Sequence, residues 1–456
     1  MRATSVEFLA KACDGILCGN KDTMVTGVKI DSRDCKPGDM FVCIVGENND
    51  GHDYIAAAYV AGCTTFLVSK NIEFADACFI VVDDTRKAMI QMAEAYLNQF
   101  KPRKVGVTGS VGKTTTKMLT AAVLGSRFNT VCTQKNYNTD IGNAMTAFQC
   151  DETTEAIVFE MGMDGPGQIA GFVEWIKPHA VIITNVGISH LEHFESRDGI
   201  ADAKLEITNQ LTELNALIVN SNSDYLKTHQ EIRDRAKNKA DFKILGVGSD
   251  INYTDLRNDG VSGIQFKING VDFRLPLLGE HNAIDAALAV ACGMFFDVPL
   301  KNAARALEQV KSTEKRLKIE DFSGITLIDD SYNASPDSVR AGIDAIVGVH
   351  ARRRVLVLGD MLELGYETES GHKAVGQYAA RKGIDMLLAT GNKKDYYRQG
   401  VFEAGGSTCI YKGFETLDDV KNYLDGFLKR DDAVLVKGSN STHVSEIAEY
   451  IRNKYK

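Results

Sequence analysis

Nowhere in this 456-residue chain does an apolar run approach the ~18 positions that a membrane-spanning helix needs. The N-terminal stretch MRATSVEFLAKACDG lacks an uninterrupted hydrophobic segment and is expected to form an amphipathic helix rather than a signal peptide. Positive charge is also in short supply: 52 Lys and Arg against 61 Asp and Glu leave a net charge of −9. A nucleic-acid binder would carry a basic footprint, so the balance argues against that class. Anionic small substrates need only a few local cations and remain open. No two of the ten cysteines form a C-x-x-C pair. Most sit in apolar contexts such as Phe41-Val42-Cys43-Ile44 and are expected to be reduced thiols of a cytoplasmic protein. Internal repeats, low-complexity tracts and long linkers are missing too.

What is present is a globular composition, 44% hydrophobic and 25% charged, in a chain long enough for two to four domains. Three blocks are expected: 1–101, 102–313 and 314–456. The first mixes short strands near Lys29–Ile30, Met40–Val45, Thr65–Val68 and Phe79–Val82 with helices at His52–Ala61 and Thr85–Asn98, and ends at Lys101-Pro102-Arg103. In the second, short continuous apolar runs (Lys104–Thr108, Ala156–Phe159, Ala180–Thr184, Ala216–Asn220) alternate with helical patterns, as in a parallel sheet buried on both faces. A buried helix is expected from His281 to Phe296. The third block repeats the strand–helix alternation at Ile325–Ile328, Arg354–Leu358, Met386–Ala389 and Ala433–Val436, giving a second doubly wound α/β domain.

The sharpest motif is KVGVTGSVGKTTTKM at 104–118. A strand falls into Gly109-Ser110-Val111-Gly112-Lys113-Thr114-Thr115, where loop amides and a helix N-terminus can cradle phosphates, Lys113 can reach the β/γ-phosphates and Thr114 can ligate magnesium. The strict eight-residue phosphate-loop pattern misses by one position, because Val107 stands where its first glycine belongs. Glu160 ends the next strand, where a magnesium ligand belongs. His190 follows a third strand on the same edge. Lys204 is ambiguous, its plainest reading being a solvated helical lysine. In the third block, Asp329-Asp330-Ser331-Tyr332-Asn333-Ala334-Ser335-Pro336, Gly359-Asp360-Met361-Leu362-Glu363-Leu364-Gly365 and Lys437-Gly438-Ser439 are polar loops at three strand ends, expected to build a ligand site on one sheet edge.

Taken together these motifs resemble those of the Mur ligase family over essentially the whole chain. The matching positions are Gly109–Thr114, Glu160, the Thr184–Glu192 run, Lys204, His281-Asn282 and Arg316. Asp329–Ser338, the Gly359–Gly365 loop, Lys437–Ser439 and the N-terminal Asp31-to-His52 stretch resemble the branch that adds D-alanyl-D-alanine. No D-N-P-R motif of the diaminopimelate-adding relatives occurs. One departure stands out: the last loop continues Asn440-Ser441-Thr442-His443.

The resemblance implies three α/β domains: one for the UDP end of a muramoyl-peptide, a central phosphate-loop ATPase-type parallel sheet, and a Rossmann-like domain for the incoming amine. It implies ATP-driven amide formation through an acyl phosphate, in a cytoplasmic, monomeric enzyme without a membrane span. Thr114 and Glu160 would hold one magnesium, and His190 with a carbamate on Lys204 a second. Arg316 would reach the phosphates; Asn282 and Asp330 would contact the nucleoside. Ser32, Arg33, His52, Asn136, Asn138 and Thr139 would face the UDP-muramoyl-tripeptide, and Tyr332, Asn333 and Ser335 the D-Ala-D-Ala. A kinase or simple NTPase would leave the third block unexplained, and a catalytically idle scaffold would not need Lys113, Glu160 and His190.

Overall fold

The computed structural model describes residues 1–72, 76–312, 315–405 and 409–456. Three large sheets follow one another along the chain. The N-terminal sheet orders its strands Ile16–Cys18, Cys78–Val81, Thr65–Val68, Asp39–Val42 and Gly27–Lys29, parallel except at the first pairing. Helix Thr85–Leu97 leaves this sheet, its first turn capped by the Asp84 carboxylate on the Arg86 and Lys87 amides.

The central sheet has six parallel strands in the order Lys243–Val247, Ala216–Asn220, Ala180–Ile183, Arg103–Thr108, Ala156–Glu160 and Thr130–Cys132. Ala156–Glu160 is buried at every position, which is why it reads as an unbroken apolar run. From Arg103–Thr108 the chain winds to one side of the sheet, and from Ala156–Glu160 it crosses to the other. That reversal opens a crevice at the carboxyl ends of the middle three strands, where such sheets bind ligands. Helix Asn282–Phe295 packs against helix Lys113–Gly125 so closely that a Cβ on Gly293 would lie 2.4 Å from Val123 Cγ1.

The C-terminal sheet runs Lys318–Phe322, Ile325–Asp329, Asp432–Lys437, Arg353–Leu358, Met386–Thr390 and Ile410–Phe414, with only the first strand antiparallel. The three strands that end in polar loops are adjacent, so those loops share one edge as expected.

An antiparallel three-stranded sheet, Tyr253–Asn258, Ile264–Ile268 and Val271–Leu275, was not anticipated. Its first strand alternates between half-buried and exposed positions and carries no continuous apolar signal. The edge strands Thr130–Cys132, Lys318–Phe322 and Ile410–Phe414 escape notice for the same reason. The expected junction at 313/314 falls outside the described residues.

Candidate active site

Gly109 has φ +148° and Gly112 φ +85°, conformations that favour glycine. A Cβ on Gly109 would lie 1.8 Å from Thr184 Oγ1, and one on Gly112 2.7 Å from Asp285 Oδ1. Gly112 caps helix Lys113–Gly125 without any side-chain hydrogen bond, so the first-turn amides stay available to an anion. The loop's shape is enforced by the chain after Ala180–Ile183. Thr184 Oγ1 donates to Val111 O (2.5 Å), Asn185 Oδ1 accepts from Val111 N (3.0 Å), and Ser110 Oγ accepts from Gly187 N (2.8 Å). Lys113 folds back, Nζ donating to Gly109 O (2.7 Å) and Ser110 O (3.3 Å). Burial, and the nearby Arg316 charge, push its pKa below the ordinary lysine value despite the opposing pull of Glu160.

Glu160 is 1% exposed. Its Oε1 accepts from Thr114 Oγ1 at 3.0 Å and from Asn138 Nδ2 at 3.5 Å. Its Oε2 lies 3.3 Å from Lys117 Nζ, a buried ion pair without hydrogen-bond alignment, and is left as a buried, unbonded oxygen. A carboxylate with an uncommitted oxygen beside a threonine hydroxyl is a hard oxygen donor set, and it fits magnesium.

His190 is left-handed (φ +64°), and its Nδ1 lies 2.6 Å from Glu363 Oε2 and 3.5 Å from Asp164 Oδ1. Neither carboxylate lines up with the ring N–H, so this is a close polar contact rather than a finished hydrogen bond. The His190 ring holds the Glu363 carboxyl below the usual carboxylate range. Lys204, ambiguous in sequence between a solvated helical lysine and a carbamate, is 1% exposed on helix Arg197–Leu205. Burial, and after it the Lys113 charge, hold its pKa well below the usual lysine value. The unprotonated amine is the form that adds carbon dioxide, and burial shifts Lys204 towards that form, so the residue fits a carbamate chemically.

A cavity of about 640 Å³ joins the phosphate loop, Glu160 and His190 to the C-terminal sheet edge. Of the expected residues, Ser110 to Thr115, Asn138, Thr139, Glu160, His190, Asn282, Arg316, Asp330, Tyr332, Asn333 and Ser335 line it. The Arg316 guanidinium stacks over the Tyr332 ring at 4.2 Å. Asp330 accepts from Lys437 Nζ (2.5 Å), which also donates to Asn333 O (2.9 Å). Asn282 Nδ2 is committed to Leu278 O and Gly279 O. On the wall nearest the N-terminal sheet, Arg86 makes a two-pronged pair with Asp140, both contacts 2.6 Å.

Gly109, Asn136 and Lys204 lie outside the lining, and so do Ser32, Arg33 and His52. Arg33 pairs with its own turn's Asp31. His52 is buried with Nδ1 on Asp50, and its Nε2 accepts from Ser69 N at 3.0 Å, so both ring nitrogens are already engaged. Four lining or supporting residues went unread as site residues: Lys117, Asn185, Asp285 and Glu363. Lys117 could have been found, because it stands three positions after Thr114 on one helix face.

The Mur ligase middle domain matches residues 107–293, the Mur ligase glutamate ligase domain 315–440, and the Mur ligase family catalytic domain 24–99. A Bacillus subtilis protein named UDP-N-acetylmuramoyl-tripeptide–D-alanyl-D-alanine ligase is 34% identical, the match covering 98% of this chain and 97% of the relative. The chain belongs to the Mur ligase family. An Escherichia coli protein of the same name is 35% identical to this Mur ligase over 99% of each chain. A crystal structure of MurF from Acinetobacter baumannii superposes with a TM-score of 0.88 at 28% identity, covering 99% of each chain. The three-domain α/β fold expected from the motifs is therefore the fold observed.

Proposed function

We propose that this Mur ligase joins D-alanyl-D-alanine to UDP-N-acetylmuramoyl-tripeptide at the expense of ATP. The observation that carries the reading is one cavity lined both by a phosphate loop with its acidic partner Glu160 and by the polar strand ends of the C-terminal sheet. A kinase or NTPase needs only the first half. The full-length likeness to ligases named for this reaction supports the choice of substrates.

A carboxylate is a poor electrophile at neutral pH, so its oxygen must first become a leaving group. In this reading the peptide carboxylate attacks the γ-phosphorus of ATP and forms an acyl phosphate. The dipeptide amine then attacks the carbonyl, the amide forms, and inorganic phosphate departs. Two anions must meet in the first step, and Lys113, Arg316 and the loop amides supply the opposing charge. Thr114 and Glu160 would hold one magnesium, and His190 with a carbamate on Lys204 a second, and these ions would neutralise charge on the phosphates. Asn282 and Asp330 orient the nucleoside, and Tyr332, Asn333 and Ser335 the dipeptide. Asn138 and Thr139 meet the muramoyl-peptide beside Asn136, with Ser32, Arg33 and His52 towards its UDP end. Active residues drawn from two domains imply closure before chemistry, which would exclude water from the acyl phosphate.

We assign 1–101 to the UDP-substrate domain, 102–313 to the ATP domain and 314–456 to the amine domain, in a monomeric cytoplasmic enzyme. The test is phosphate release from magnesium ATP with the UDP-muramoyl-tripeptide, with and without D-Ala-D-Ala, beside Lys113→Ala. Release that requires both substrates and vanishes in the variant is expected. Release indifferent to the dipeptide refutes the ligase reading.

A further inference from the structure

The loop after strand Arg353–Leu358 crosses from the C-terminal domain to the central one. Glu363 is left-handed, φ +63°, and its carbonyl accepts from Glu192 N at 3.3 Å. Gly365 sits so near the same turn that a Cβ there would lie 3.3 Å from Glu192 Cα. These backbone contacts aim the Glu363 side chain at His190, whose Nδ1 is 2.6 Å from Oε2. The other carboxylate facing the ring, Asp164, is farther, at 3.5 Å, and its side chain is 72% exposed. Two non-glycine residues in the left-handed region thus meet across a domain boundary, each at a cost of about 1–2 kcal/mol. Such conformations collect at functional sites.

A histidine that binds a divalent cation does so through an unprotonated ring nitrogen, while its other N–H is usually held by a carboxylate or carbonyl. We propose that Glu363 is the positioning residue for His190, reaching from the C-terminal domain to hold the Nδ1 proton and leave Nε2 free as the donor atom. The proposal rests on the ligase reading's assignment of His190 to a divalent cation. His190 and Glu363 follow strands of different sheets, so the donor tautomer is selected only when the two domains are docked. The present 2.6 Å contact is not aligned as a hydrogen bond, and in this proposal the ring turns to make it. The central domain alone would then hold a nucleotide without a fully prepared His190, which ties phosphate transfer to the domain that brings the amine.

The test uses the full chain and two variants, Glu363→Ala and Glu363→Gln, the latter keeping shape without charge. Glu363 is half-exposed, so both are expected to fold. In the metal-free, ADP-bound chain, ¹⁵N-histidine correlation spectra report the tautomer of His190, identified by the signal lost in His190→Ala. The wild type should carry its proton on Nδ1, and both variants should shift towards Nε2. Mn²⁺ binding with a non-hydrolysable ATP analogue, followed by electron paramagnetic resonance, should weaken by about 10–100-fold in the variants. kcat should fall by a similar factor while KM for ATP stays within about twofold of wild type. A wild-type His190 tautomer in Glu363→Ala overturns the proposal whatever the activity, and so does unchanged Mn²⁺ affinity. A wild type lacking dipeptide-dependent phosphate release would instead refute the ligase reading and leave the tautomer result standing.

Discussion

Replacing Lys117 by methionine asks what keeps the Glu160 carboxylate in a dry place. The pair is 3.3 Å apart, with side chains 5% and 1% exposed. At an effective dielectric near 20 their gross attraction is about 5 kcal/mol, most of it offset by taking both charges out of water. Removing one partner of a buried pair costs about 3–5 kcal/mol, because the other charge is left uncompensated. Thr114 and Asn138 still bond Oε1, and the charges of Lys113 and Glu160 still interact, so the low end, about 3 kcal/mol, applies. Methionine fills the volume of the lysine stem and adds no cavity term. For a domain of this size each kcal/mol moves the melting temperature by about 2–4 °C, so a fall of about 6–12 °C is expected in EDTA. Differential scanning calorimetry measures it. Magnesium ADP brings a cation to Glu160, so it should raise the melting temperature of the variant more than that of wild type. A fall under about 2 °C in EDTA, or equal gains with magnesium ADP, refutes the reasoning.

Burial pushes the Asp285 carboxyl up to about 7. The unfolded chain sheds that proton first, near pH ~3.9, so wild type loses stability between about pH 4 and 7. Asp285→Asn removes this loss, and its stability relative to wild type should grow with pH by something on the order of 4 kcal/mol in urea titrations; a pH-independent difference refutes it. Gly109→Ala would drive its Cβ into Thr184 Oγ1, 1.8 Å away, and break the bond to Val111 O. ATP affinity by calorimetry should fall at least about tenfold. Glu206 accepts from Gly167 N at 2.8 Å and Ala170 N at 3.1 Å, serving the first turn of helix Gln168–Ile176. Glu206→Ala should cost about 1–2 kcal/mol in urea unfolding.

The three-block order was legible because strands covered on both faces advertise themselves as unbroken apolar runs, as Ala216–Asn220 does with every residue buried. Half-exposed strands advertise nothing of the kind, and the 253–275 sheet was lost for that reason. The phosphate loop, Glu160 and His190 were legible because each follows a strand end at the crevice edge. Lys204 shows the opposite limit. Its neighbours Ala203 and Leu205 are apolar, but whether a helical lysine turns inward depends on what packs over it, and the chain covers it to 1% exposure.

Three of the four residues that went unread share one property: they act through another residue. Lys117 acts through Glu160, Asn185 through the Val111 amide, and Glu363 on the His190 ring. Motif spacing identifies groups that face a ligand, since ligand chemistry dictates their type and their strand-end position. Groups that hold those residues in place are dictated by packing geometry, which spacing encodes only in part, as for Lys117 three positions after Thr114 on one helix face. The phosphate loop makes the consequence concrete. Its glycines permit the turn, but Thr184, Asn185 and Gly187, some seventy-five residues away in sequence, are what hold it. A loop transplanted without that run would keep the motif and lose the shape, so nucleotide affinity should follow the 184–187 contacts as closely as it follows Lys113.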